Sequence, residues 1–214
     1  MAGMAPLTRD QILRTAIRIA DHEGPEAVTL RRISTELGVH VTSLYNHVPT
    51  RDAITDGIVE VLLTEAKLPV TPVPWEEWTR HFFAAMGTIA TTHPGAFHAL
   101  QQRPAQGSRA TASFEIALAA FVQAGFSAVD AYSAVKTVAL LAVEVGLERS
   151  KAARGEVLET RLDELPVDAF PLVRSIAATA TPEDVWAFAL ETLIAGLRAQ
   201  LGTRSANRGD HEPS

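Results

Sequence analysis

Apolar residues recur along this chain at intervals of three and four, the spacing of helices with one buried face. Ile12, Ala16, Ile19 and Ala20 mark a first helix. Thr8-Arg9-Asp10-Gln11 ahead of it fits a capping box, in which the Thr8 hydroxyl accepts from the Gln11 amide while Gln11 reaches back. Gly24-Pro25 ends the run. Thr29 is placed to cap a second helix, with Ile33 and Leu37 four apart and Gly38 to end it. A brief third helix is predicted around Val41 to Asn46, and Pro49 closes that segment. Thr50 then caps a fourth helix carrying Ile54, Ile58 and Leu62 on one face.

The stretch LPVTPVPW at 68–75 breaks this pattern with three prolines, which places a domain boundary there. Beyond it the spacing predicts helices near 75–92, 96–101, 108–124, 127–150 and 182–201, with breaks at His93-Pro94-Gly95 and Gly125. Segment 151–181, with Asp163, Pro166, Asp168 and Pro171, reads as a long connection with room for one short helix. The polar tail GTRSANRGDHEPS reads as disordered. The expected organisation is all-α: a helix-turn-helix domain over 1–67, its fourth helix acting as link, a larger helical domain over 68–201, and a tail over 202–214.

Within the first domain, two helices joined by a short glycine-containing turn and braced by a third describe a helix-turn-helix. Ile33, Leu37, Val39, Leu44 and Val48 hold the pair against helix one and leave Thr42, Ser43, Tyr45, Asn46 and His47 outward. Arg31 and Arg51 lie alongside. Short hydroxyls and an amide suit base edges in a major groove, while Tyr and Arg reach phosphate oxygens. The start of helix four, at Thr50 and Arg51, offers backbone amides to another phosphate. The plain alternative is a three-helix bundle with an ordinary polar face. A helix of barely two turns with so little apolar content adds poorly to a core, and DNA binding is the favoured reading.

Charge sharpens this picture. The chain of 214 residues has a net charge of −6, which argues against a generic nucleic-acid binder. Residues 1–51 nevertheless carry six basic and five acidic side chains, so the acidic excess lies wholly in the remainder. Cysteine is absent, which excludes disulfides, thiolate metal sites and a cysteine nucleophile. No run of ~18 apolar residues and no signal-peptide pattern occurs, and a soluble cytoplasmic protein without membrane partners is expected.

The stretch TLRRISTELGVHVTSLYNHVPTRDAITDGI resembles the DNA-binding domain of the TetR family of bacterial transcription regulators. That family's pattern is met at Thr29, Ile33, Leu37-Gly38-Val39, Leu44-Tyr45-Asn46-His47 and Arg51. Ser34 replaces the usual alanine, and His40 stands where a serine often caps the recognition helix, so a looser start to that helix is expected. QAGFSAVDAYSAV and AFALETLIAGLRAQL are similar to parts of the regulatory domain of the tetracycline-repressor branch, extending the resemblance over most of residues 8–201. The resemblance implies phosphate contacts from Tyr45 and Arg51, with Arg31, Val41, Thr42, Ser43 and His47 at a DNA operator. Val41 cannot hydrogen-bond a base but fits a thymine methyl, which implies an operator different from that of the tetracycline repressors.

For the larger domain, packing alone accounts for any single aromatic residue. A polar subset, His98, Arg103, Glu115, Thr137 and Glu144, stands out against apolar surroundings. The resemblance implies a small-molecule effector pocket among these residues together with Phe82, Met86 and Leu141. FHALQQRP matches a pocket-lining segment, with Arg103-Pro104 at an Arg-Pro of that branch. Leu140 and Ala99 stand where that branch has histidines holding a drug-bound magnesium, although His98 is adjacent and Glu148 matches the acidic position. A magnesium-tetracycline ligand is therefore not expected, nor any metal or cofactor. The resemblance further implies a homodimer through a four-helix interface including Val135, Ala139, Ala142, Trp186, Leu190, Leu193 and Leu197. Control by a protein partner, or by no ligand, is the alternative. A helical enzyme is remote, because no motif joins the scattered His and Glu residues.

Overall fold

The computed structural model describes residues 6–103, 108–156, 169–177 and 179–209. Among the described residues the regular structure is entirely helical. In chain order the helices are α1 (Arg9–Glu23), α2 (Leu30–Leu37), α3 (Val41–Tyr45), α4 (Arg51–Glu65), α5 (Trp75–Thr92), α6 (Ala99–Gln102), α7 (Ser108–Gln123), α8 (Ala128–Ala153), α9 (Pro171–Ala177) and α10 (Pro182–Gly209).

Helices α1, α2 and α4 start where their caps predict. Thr8 forms the full capping box with Gln11, and the Thr29 and Thr50 hydroxyls accept from the Arg32 and Ala53 amides. Such caps stabilise a helix start by about 1 kcal/mol each. One face of α1 (Ile12, Leu13, Ala16, Ile17, Ile19, Ala20) is buried against Ile33, Leu44, Val48 and the α4 residues Ile54, Ile58 and Leu62. Each large aliphatic side chain so enclosed contributes roughly 1.5–3 kcal/mol of transfer free energy.

Beyond the proline-rich link, α5 packs most extensively against α8, and α8 in turn against α10 and α7. Helix α4 faces both ways, contacting α1 on one side and α6 and α7 on the other. Glycine permits a close approach at Gly146, where a Cβ would collide with the Phe97 ring. None of the helices, among the described residues, is long and apolar enough to cross a membrane.

Three boundaries differ from the sequence reading. The helix expected over 96–101 is a 3-10 turn at Ala96–His98 followed by the four-residue α6. Helix α8 runs on to Ala153 before Gly155, at φ +73°, turns the chain. Helix α10 continues through Gly209, so most of the polar tail expected to be disordered is helical. The physical reason is that 202–208 holds no proline, and a lone glycine costs a helix only about 1 kcal/mol. Residues 210–214 lie outside the described residues, as do Pro104, Asp163, Pro166 and Asp168.

Candidate functional site

The five-residue helix α3 is held in place by Leu44 within it and Val48 just beyond it, both wholly buried. Gly38 sits in the left-handed region at φ 64°, and the Val39 amide donates to the Ser34 carbonyl at 3.0 Å, which turns the chain sharply from α2 into α3. The side chains that do not anchor are displayed. Thr42, Ser43, Tyr45, Asn46 and Thr50 are exposed, while Val41 and His47 are half-buried. His40 makes no capping bond to the helix backbone, as its poor capping chemistry predicts, and its ring nitrogen lies 3.0 Å from the Thr42 hydroxyl.

The arginines beside this face divide into two kinds. Arg32 is clamped between Glu23 at 2.6 Å and Glu36 at 2.8 Å, and the hydrogen bonds it donates to Glu23 and then to Glu36 hold its guanidinium firmly charged. It ties the end of α1 to α2. Arg31 and Arg51 are exposed, with no ion pair among the described residues. A surface displaying two uncommitted guanidiniums, three hydroxyl groups (Thr42, Ser43 and Thr50), a carboxamide and a phenol fits phosphate and base-edge contacts.

A polar junction joins this domain to the rest. Asp21, at the end of α1, accepts from the Gly95 and Ala96 amides at 2.9 and 3.0 Å through one oxygen, and its other oxygen lies 2.9 Å from His93 Nδ1. His93 Nε2 lies 3.0 Å from the Glu65 carboxylate on α4. A Cβ at Gly95 would overlap the Ala20 carbonyl, so only glycine allows this approach. Arg103, ending α6, binds Asp56 on α4 at 2.7 and 3.1 Å and Asp52 at 3.3 Å. Sequence reasoning missed this junction and saw His93-Pro94-Gly95 only as a break. No local signal links His93 to a carboxylate 72 residues away.

The residues expected around an effector pocket are divided among several places. Phe82 and Met86 are buried in the interior, where Phe82 stacks on Trp78 with ring centroids 5.1 Å apart. Trp75, Phe121 and Phe126 continue this aromatic cluster. The Trp78 indole N–H is buried without a hydrogen-bond partner among the described residues. Arg103 is committed to α4, and Glu115 and Glu144 are exposed. Thr137 and Leu141 line a groove of about 600 Å³ between α8 and α10. His98 lines a different cleft, of about 180 Å³, between the two domains.

The expected interface residues also divide. Leu193 and Leu197 line the α8–α10 groove, while Ala139 and Leu190 are partly buried beside the core. Trp186 is packed edge-on to Phe83 at 5.2 Å and under the Arg149 guanidinium at 4.8 Å. Val135 and Ala142, by contrast, are buried in the interior, where α8 packs against α5, α7 and α10. Outward apolar residues of α8 and α10 include Leu140, Val185 and Phe188, with Leu140 66% and Phe188 74% exposed.

Comparison with known proteins identifies this arrangement. Residues 12–57 match the family described as bacterial regulatory proteins, tetR family. Residues 68–201 match the tetracyclin repressor-like C-terminal domain. An HTH-type transcriptional regulator of Saccharopolyspora erythraea is 33% identical over 129 residues, which span 60% of this chain and 55% of that relative. The class E tetracycline repressor protein of Escherichia coli is 26% identical over 205 residues, covering 92% of this chain and 94% of the repressor. The crystal structure of apo ActR from Streptomyces coelicolor superposes with a TM-score of 0.77 at 28% identity, covering 94% of this chain and all of ActR. ActR has also been solved in complex with actinorhodin. The two domain matches and the displayed recognition helix agree: this chain is a transcriptional regulator of the TetR family.

Proposed function

We propose that the protein is a repressor that binds a palindromic DNA operator as a homodimer and is released by a small, largely apolar effector. The observation that carries the DNA-binding part is α3, anchored by two buried aliphatics and presenting Thr42, Ser43, Tyr45 and Asn46 to solvent. Arg31, Val41, His47, Thr50 and Arg51 complete the contact surface. One such helix offers few base contacts, and two copies about one turn of DNA apart, ~34–36 Å or moderately more, supply a specific site. The exposed apolar residues of α8 and α10 support the pairing of two subunits.

The aromatic interior supports an effector with an apolar body. An unpaired buried N–H costs about 1–3 kcal/mol, so an acceptor atom facing Trp78 would be rewarded on binding. Release requires a ligand that favours one spacing of the recognition helices, since equal affinity for both states shifts nothing. Helix α4, bound to α6 through Arg103, is the physical path for that motion. The alternative, control by a protein partner or by none, draws support from the burial of Phe82 and Met86 in close packing.

Selection from random duplex DNA tests the reading. An enriched palindrome, bound by a species of twice the subunit mass in light scattering, is expected. Recovery of no palindrome would refute the operator assignment. Release by a candidate effector should persist in the presence of a chelator, because neither Leu140 nor Ala99 offers a metal ligand.

A further inference from the structure

The 180 Å³ cleft between the domains lies apart from both the aromatic interior and the α8–α10 groove. Its walls come from the end of α1, the turn at Pro25–Ala27, the first half of α4, and the segment from Gly95 to Gln102. Ala20, Val28, Ile54, Ile58, Ala96 and Ala99 give it an apolar lining. Arg51, His98 and Gln102 supply polar groups, and none of these three side chains has a hydrogen bond or ion pair among the described residues. Donors left uncommitted beside an apolar wall are the ordinary makings of a small-molecule site.

We propose that this cleft is a second ligand site, taking a short monocarboxylate whose carboxylate is held by Arg51, His98 and Gln102 and whose apolar body lies along α4 and α6. The volume equals roughly six water molecules at ~30 Å³ each, which suits a short or single-ring acid and excludes a multi-ring molecule. The charge balance selects a monoanion. A single guanidinium faces the cleft, and Glu26 also lines it, so a dianion such as phosphate meets one cation and one opposing carboxylate. The charge of Glu26 is partly met by Arg154, outside the cleft. A planar carboxylate also matches the two-pronged guanidinium.

Occupancy has a regulatory consequence, which rests on the operator role proposed for Arg51. A carboxylate drawn onto Arg51 competes with a DNA phosphate for the same guanidinium and links α4 to α6 while doing so. A small acid therefore weakens operator binding without entering the aromatic interior.

The test uses the full-length protein with benzoate and pentanoate as probes, and benzamide and inorganic phosphate as controls. Calorimetric titration and proton–nitrogen NMR should show saturable binding of the carboxylates, with shifts confined to residues around His98, Gln102 and Arg51. Benzamide should bind about tenfold more weakly, the worth of a charge-assisted contact, and phosphate more weakly than benzoate. Gln102→Ala and His98→Gln should each weaken benzoate several-fold while leaving probe-free operator affinity unchanged, which also shows that the variants are folded. Absence of saturable binding, equal binding of benzamide, or shifts located elsewhere would overturn the site. Benzoate should lower operator affinity in the wild type, and the same loss should need several-fold more benzoate in Gln102→Ala. Unchanged affinity in a wild type shown to bind benzoate would overturn the competition for Arg51 while the site itself stood. A failure of the operator proposal would appear instead as no specific DNA binding with benzoate binding intact.

Discussion

The recognition helix and the outer face of α8 and α10 are both exposed surfaces built on a buried core, yet their chemistry is opposite. Around α3 the side chains left outside are hydroxyls, an amide, a phenol and uncommitted arginines, all well solvated in the free protein. Across α8 and α10 they include Leu140, Val185 and Phe188, which gain nothing from water. Under the proposed reading, the first surface is complete in a single chain and suits a charged, polar partner, whereas the second is left unfinished until a second copy covers it. Exposure alone therefore does not identify a partner; what decides is whether the exposed groups are satisfied by solvent.

The largest effect is expected where that unfinished surface is broken. Leu193→Arg puts a charge into the α8–α10 groove and should shift the protein to a monomer in light scattering, abolishing operator binding. An Arg at Ala139 should act in the same direction. A monomer that still bound operator tightly would remove the contrast between the two surfaces.

Next comes the support beneath the polar surface. Leu44→Ala removes a wholly buried anchor and should lower stability by about 2–5 kcal/mol, read as a fall in the thermal unfolding midpoint. Tyr45→Ala and Arg51→Ala leave that core intact. They should weaken binding to all DNA sequences, and Arg51→Ala should reduce the salt dependence by about one phosphate contact. Substitutions at Thr42 or Ser43 should instead change the preferred bases, at about 1–3 kcal/mol per base pair, in a selection experiment.

The smallest effect concerns the junction between the two regions. Hydrogen bonds from Arg103, and then its charge, hold the Asp56 carboxyl below its ordinary value of 3.8. A carboxyl lowered in the folded state stabilises above that ordinary value and loses its contribution as pH falls through the lowered one. The Arg103–Asp56 link should thus be indifferent to pH from about 5 to 8 and fail only below about 4. Asp56→Asn should leave folding at neutral pH nearly unchanged while loosening the coupling of α6 to α4, measured as a smaller response of operator affinity to an effector.

Much of the DNA-binding domain was legible because its signals are local. Capping threonines at 8, 29 and 50, glycines at 24 and 38, and aliphatic residues four apart each act within a few residues, so the backbone obeys them whatever lies beyond. The exposed identity of Thr42, Ser43, Tyr45 and Asn46 followed from the same periodicity, since Leu44 and Val48 could only turn inward. Tertiary structure decided the rest. Helix α8 carries small apolar residues on more than one side, and only its contacts with α5, α7 and α10 decided that Val135 and Ala142 are buried while Leu140 stays outside. Arg103 and His98, neighbours in one short segment, were sent to an α4 carboxylate and to a separate cleft by helices distant in sequence. Periodicity states that a helix has a buried face, but which neighbour buries it, and which polar group lies opposite, depends on contacts between residues dozens of positions apart.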